Sequence, residues 1–381
     1  MYHEDEYFPD QPTHADRLDM LRARNKRLAA ERADPDPPLL RSHDFRDGFL
    51  KGRAEAGTLV RLCDGTFVEP PPREWKAWRK ENYLIRATAR AVGLSLPESL
   101  VIGGQHAAIL HGIPVLNRRR PVEVHGPSHG STIRRRVGHR RVVRAHALDD
   151  AILVDGIRVT SPIRTAVDCA RHLEIDEALV IVNGFLNELA QPVPWRRPEG
   201  EAAIAAVKRQ MLNLLDAEPR FPGNRRARLV LSIADGWAES PLESQTLRVI
   251  HLLGLPRPVL QEQLVTSRFE HYFDASLTWP MPDGSTWRAR IQSDGRTKYE
   301  EPSVMERERE READVRKQGD HQVNLRWDHL NQPGLRDATE LIASVVPPHV
   351  RSRIHVVARF RTTVERERAL FVERFPEIIQ F

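Results

Sequence analysis

Residues 272–299 read YFDASLTWPMPDGSTWRARIQSDGRTKY, and this stretch decides the fold of the C-terminal third. Two runs, Tyr272 to Trp279 and Trp287 to Gln292, are rich in aromatic and β-branched residues. Pro282-Asp283-Gly284 lies between them, so a hairpin is expected. Upstream, Pro241 to Leu253 carries helical apolar spacing and stops at Gly254, and Val259 to Val265 reads as a strand. Downstream, Val304 to Gln318 reads as a charged helix leading to a last apolar strand, Gln322 to Arg326. The order is αβββαβ, which predicts a mixed sheet flanked by helices.

That order places acids usefully. Metal-dependent hydrolysis of a phosphodiester needs clustered acids to hold Mg²⁺, which activates water and offsets charge on the phosphate. Acids near the ends of partnered hairpin strands converge on one side of a sheet. Asp274 and Asp294 are placed that way, and Lys298 follows closely enough to stabilise developing charge. Each has a plainer reading too: Asp294-Gly295 as a turn, Lys298 as a surface residue.

Working outward, Ala338 to Val346 and an amphipathic stretch from Arg351 to Phe371 read as helices, giving a helical tail at 335–381. Before the αβββαβ order come helices at Glu201 to Leu215 and Arg225 to Ala234, a connector over 200–237, preceded by the proline-rich linker QPVPWRRPEG. Residues 74–190 alternate helix and strand. The strands are Leu100 to Ile102, Pro121 to His125, Arg134 to His146, and Ile152 to Val159 turned at Asp155-Gly156. Ser161-Pro162 opens a helix as N-cap and first helical residue. Residues 43–70 form a helix (Phe45, Phe49, Leu50, ending near Gly57) and a hairpin around Asp64-Gly65. This has the look of a recognition helix and wing, and equally of an ordinary αββ fragment. Residues 1–42 read as an arm, partly disordered, with one arginine-rich helix before ADPDPPLLRS.

These passages together resemble known groups. ESPLES, GLPRP, the strand aspartate Asp274, DGRTKY and VNLRWDHL are similar to the very-short-patch-repair-endonuclease-like domain of actinobacterial proteins, a PD-(D/E)xK fold. GTLVRLCDGTFV resembles the winged-helix wing of such proteins, and VIGGQHAAILHGIPV with DGIRVTSPIRTAVDCAR resembles their AbiEi-type antitoxin region. The resemblance spans about residues 43–330. It implies an α/β multi-domain chain: a winged-helix-like N-terminal unit, an AbiEi-like mixed α/β domain, and a restriction-endonuclease-like domain over 239–332. It also implies Glu243 as the helix acid, Asp274 as central metal ligand, and Gln292-Ser293-Asp294-Gly295 as the Glu-x-Asp-Gly site. Here the chain departs from the family. Gln292 stands where a glutamate is usual, so one negative charge at the cation is missing. Without the resemblance, Glu243 is a first-turn helix acid favoured by the helix dipole.

A second constellation is basic. Arg118, Arg119, Arg120, Arg134, Arg135, Arg136, Arg140, Arg141 and Arg144 lie in a segment whose only acid up to Ala147 is Glu123. Such a stripe neutralises phosphates without reading sequence. Its competitor is codon usage, since only seven of the 58 basic residues are lysine. Net charge is +5, which permits an anionic partner without demanding one. The acidic N-terminus MYHEDEYFPDQP has no apolar core, so no signal peptide is expected, and no stretch is long and apolar enough to span a membrane. Cys63 and Cys169 are isolated, which suits a reducing cytoplasm. The expected function is a DNA-binding protein with a divergent Mg²⁺-dependent endonuclease domain in defence or repair, with DNA and a toxin or other defence-system protein as partners. The alternative is a catalytically inactive, antitoxin-like transcriptional regulator that uses the nuclease fold as a binding module.

Overall fold

The computed structural model describes residues 37–63, 65–116, 120–126, 140–144, 150–266, 270–293, 311–330, 335–363 and 365. The chain divides into two units after Ala91.

Unit one contains β1 (Leu39–Arg41), α1 (Phe49–Glu55), β2 (Val60–Cys63), β3 (Thr66–Val68) and α2 (Ala77–Gly93), the last running across the division. The strands form an antiparallel sheet in the order β1-β3-β2. β1 lies within the stretch 1–42 that the sequence leads one to expect as an arm. It is a strand because Pro37 and Pro38 lie just ahead of it and leave its own donors intact. Leu50, Leu59 and Phe67 make the core, flanked by Leu40 and Ala54. Gly57, at φ 74°, lies just beyond α1 as a glycine C-terminal signal should. Of the expected helical triplet only Leu50 is buried. Gly48 at φ 77° precedes the helix, so Phe45 stays outside it and stacks on Phe49 at 5.8 Å, both rings exposed.

Unit two opens with β4 (Val101–Ile102), α3 (Gly104–Leu110), β5 (Val122–Gly126), β6 (Arg140–Arg144), β7 (Ile152–Val154) and β8 (Ile157–Val159). They form one five-stranded sheet, β6-β5-β4-β8-β7, with β5–β6 and β4–β8 parallel. The β7–β8 hairpin turns at Asp155 (φ 48°) and Gly156 (φ 75°), the two left-handed residues a type I′ turn requires. Then come α4 (Pro162–His172), α5 (Ile175–Ala190), α6 (Arg197–Ala217), α7 (Asn224–Ile233) and α8 (Pro241–Leu252). Ser161 caps α4 by accepting from the Arg164 N–H at 3.3 Å. α6 begins earlier than the prolines implied. Pro198 sits in its first turn, where the missing donor costs nothing.

The last part of unit two contains β9 (Glu262–Val265), β10 (Glu270–Phe273), β11 (Ala275–Pro280), β12 (Thr286–Ser293), β13 (His321–Leu325), α9 (Trp327–Leu330) and α10 (Arg336–Val345), with residues 311–317 helical ahead of β13. β9 and β10 form a ribbon; β11, β12 and β13 form a second sheet in that order, β11–β12 antiparallel and β12–β13 parallel. The strand expected as one piece from Tyr272 to Trp279 is thus broken at Asp274, because its two halves pair with different neighbours. α8 covers one face, where Thr246 and Ser293 join hydroxyls at 3.0 Å. It also packs on α5, where Asn183 donates to Ser244 at 3.0 Å and Gln245 to the Asp176 carbonyl at 2.9 Å.

The stretch from Arg351 is not one continuous helix. Its chain extends along α8 instead, with the Val357 N–H donating to the Leu252 carbonyl at 2.7 Å and Phe360 buried. Glu365 then pairs with Arg248 through both carboxylate oxygens at 3.0 Å. Thr362 and Glu365 exchange backbone-to-side-chain bonds, the reciprocal arrangement of a capping box. No helix among the described residues is long and apolar enough to cross a membrane. The two cysteines are free and buried.

Candidate functional site

The Ala275–Ile291 register of β11 on β12 brings Asp274 level with Gln292. Side chains alternate along each strand, so Asp274 and Ser276 share a face with Arg290 and Gln292. A 3.0 Å bond from Arg290 to Ser276 marks that face. Asp274 is 8% exposed, and one of its oxygens accepts from the Ser293 N–H at 2.6 Å. Gln292 is 5% exposed, and its Oε1 has no hydrogen-bond partner among the described residues. A buried amide oxygen left without a donor is costly unless another group satisfies it.

Glu243 behaves differently. Ser240 caps α8 by accepting from the Glu243 N–H at 3.2 Å, and Glu243 Oε2 accepts from the Glu239 N–H at 2.8 Å. Gln261 donates to the same oxygen at 3.2 Å. The carboxylate therefore builds the start of its own helix. Asp294 and Lys298 lie outside the described residues. Among the described residues, no three His, Cys, Asp or Glu side chains gather closely enough to hold a metal ion.

Sequence reading missed the ion network beside this pair. Arg290, 2% exposed, donates from Nε to Asp320 at 3.0 Å and pairs with Glu262, with the Phe273 ring 4.8 Å from its guanidinium carbon. It ties the β9–β10 ribbon to β12 and to the residue before β13. The one available signal was a strand-interior arginine two positions from Gln292.

Of the arginine stripe, Arg118, Arg119, Arg134, Arg135 and Arg136 lie outside the described residues. Arg140, Arg141 and Arg144 belong to β6, the edge strand of the five-stranded sheet. Arg120 is engaged internally, donating to buried Glu177 at 2.6 Å. That pairing makes it a structural residue of the stripe.

Beneath the same sheet lies a buried charged cluster. His125 Nε2 meets Glu123 Oε1 at 2.8 Å, directly against the β4–α3 turn. A Cβ on Gly103 would fall 2.3 Å from that nitrogen, so only glycine fits there. Burial lowers the His125 pKa, but the hydrogen bond and charge of Glu123, with Asp168 behind, hold it above its ordinary value. Asp168 meets Arg171 at 2.9 Å; Arg171 also meets Glu218 at 2.8 Å and donates to Asn224 at 2.9 Å. His106 has no such partner for Nδ1 among the described residues, and burial pushes its pKa down to about 4.

His106 therefore stays neutral in the folded state while its unfolded counterpart charges below pH 6.5. Its contribution is present above that pH and is lost as pH falls towards about 4, on the order of 3 kcal/mol. Urea unfolding of wild type and His106→Gln across that range checks this. The wild type should lose stability relative to the variant at the acid end; a difference that stays constant with pH excludes His106 as its source.

No curated protein matches the chain. Among solved structures, it is similar to the crystal structure of the RV2827C protein from Mycobacterium tuberculosis, at 15% identity over 55% of this chain and 81% of that one. The TM-score of that pair is 0.29, too low to carry a structural argument. Residues 101–211 match the family model of the AbiEi antitoxin C-terminal domain. The segment from β4 into α6, which holds Glu123, His125, Asp168 and Arg171, is AbiEi-like.

Proposed function

We propose that this protein is an AbiEi-antitoxin-like DNA-binding protein whose C-terminal domain is built on the PD-(D/E)xK endonuclease plan and keeps a divergent, Mg²⁺-dependent phosphodiesterase site. The nuclease reading rests on Asp274 and Gln292 sharing one face of neighbouring strands, with the buried Gln292 oxygen lacking a partner among the described residues. A carboxylate and an amide oxygen fit Mg²⁺, which takes oxygen donors and is held by one or two carboxylates together with waters and substrate phosphates. Bound there, the ion would polarise the phosphate and acidify a water. Asp274, oriented by the Ser293 N–H, supplies the charge; Gln292 supplies a neutral donor. Asp294 would complete the ligand set, and Lys298 would stabilise developing charge on the phosphate. The strand order, antiparallel then parallel behind α8, supports the same plan. In unit one the β1-β3-β2 order behind α1 supports a winged-helix reading, with α1 facing the major groove and β2–β3 as wing.

Cleavage of plasmid, single-stranded and branched DNA with Mg²⁺ or Mn²⁺ tests the site. Nicking by wild type and none by Asp274→Ala is expected. No cleavage by either selects the second reading, a non-catalytic regulator acting with a toxin partner. That reading is favoured by the engagement of Glu243 with Glu239 and Gln261.

The arginine stripe makes a separate prediction. Duplex affinity should fall linearly in log–log against salt, and reversing Arg134, Arg135 and Arg136 to glutamate should weaken all sequences alike, by about tenfold or more. Unchanged affinity in that triple variant assigns the stripe to codon usage.

A further inference from the structure

In unit one, α1 has a clear inward side and a clear outward side. Leu50 and Ala54 point inward, against Leu59 and Phe67. Half a turn round is Gly52, with Phe49 and Glu55 one turn before and after it, all three exposed. Two features of this outward face serve no purpose in the fold. Phe49 is 49% exposed and stacks on Phe45, itself 39% exposed, with the rings 13° from parallel. Gly52 lies inside the helix, outside the set of positive-φ glycines, and a Cβ there would meet no atom within 4 Å. Glycine inside a helix costs stability relative to alanine, and the packing of the protein does not require it here.

A missing side chain at the centre of an exposed face suits close approach by a partner. The surrounding chemistry says which partner. From α1 through β2, exposed Lys51, Arg53 and Arg61 outnumber the single acid, Glu55, which pairs with Lys51 at 3.8 Å. That balance favours a polyanion. Duplex DNA admits a helix to its major groove and presents one apolar group there, the C5-methyl of thymine, on which phenylalanine packs. How deep the helix sits depends on the side chains at the centre of its outward face, and at Gly52 there is none.

We propose that α1 docks in the major groove with Gly52 against the base edges and Phe49, stacked on Phe45, against thymine methyl groups. The proposal rests on the winged-helix reading of unit one. It names the base that α1 reads: duplex sites with thymine under Phe49 are preferred.

The test uses the full chain in EDTA and the fluorescence anisotropy of two labelled duplexes, one of alternating adenine and thymine and one with uracil in place of thymine, which removes only the methyl groups. Wild type should bind the thymine duplex roughly fourfold more tightly, the worth of one buried methyl. Phe49→Ala should erase that difference. Gly52→Gln should weaken both duplexes while melting no lower than wild type, since glutamine is the better helix former. The proposal is overturned if wild type does not distinguish the duplexes, or if Phe49→Ala still does. Should Gly52→Gln weaken both duplexes without any thymine preference in wild type, the winged-helix reading stands and the thymine contact alone falls. Should Phe49→Ala and Gly52→Gln both leave affinity unchanged, α1 is not at the DNA and the winged-helix reading falls too. Self-association lost in Phe49→Ala at unchanged DNA affinity, read by sedimentation, would assign the face to a second copy and overturn the proposal.

Discussion

Arg171→Ala is expected to destabilise unit two by roughly 3–5 kcal/mol, the loss that follows when one partner of a buried ion pair is removed. The side chain is fully buried, with Asp168 and Glu218 on one guanidinium nitrogen, Asn224 on Nε, and the Phe221 ring 4.3 Å from its carbon. Alanine leaves Asp168 without its bonded cation, in a region where burial already holds its pKa above the usual range, and leaves Glu218 with Arg164 alone. It also removes the bond that holds Asn224 at the start of α7. Arg171→Lys keeps the charge but cannot serve three acceptors in one plane, so it should recover only part of the loss. Denaturant unfolding reads both variants, and a cost below about 1 kcal/mol for alanine, the range of exposed pairs, would contradict this account.

Gln292→Glu is expected to have the largest effect on function. Glutamine keeps the size and one acceptor oxygen of glutamate but supplies no charge. Restoring the charge beside Asp274 should tighten Mg²⁺ binding on the order of 10- to 100-fold and raise or create cleavage. Without metal the same change should lower stability, because neighbouring carboxylates repel and raise each other's pKa. That loss should therefore be largest near neutral pH and recede as the acids protonate. Asp274→Ala in the same background should abolish the gain in binding and in cleavage. A wild type that cuts faster than Gln292→Glu would instead make the glutamine an adapted ligand.

Elements governed by local chemistry were legible in the sequence. Asp155-Gly156 turns as its residue types require, Ser161-Pro162 opens α4, and the run ending at Gln292 is a strand. What depended on long-range partners was not. Nothing in Tyr272 to Trp279 says that its halves pair with different strands, yet Asp274 occupies that break. Arg290 and Asp320 are 30 residues apart, and a charged pair inside a sheet leaves no periodic trace. Glu243 was legible as an acid near a helix start, but its engagement with Gln261 needed the fold. Thr362 and Glu365 have capping-box spacing, which apolar periodicity from Arg351 onwards concealed. The arginine stripe was half legible: its charge is evident in sequence, while the pairing of Arg120 with Glu177 across 57 residues is not.

The most direct measurement is a calorimetric Mn²⁺ titration of wild type, Gln292→Glu and Gln292→Glu/Asp274→Ala, all as full chains. Weak binding in wild type, tighter binding in Gln292→Glu and none in the double variant is the result predicted for a metal site at Asp274 and residue 292. Absence of binding in all three, or binding that survives loss of Asp274, would contradict it.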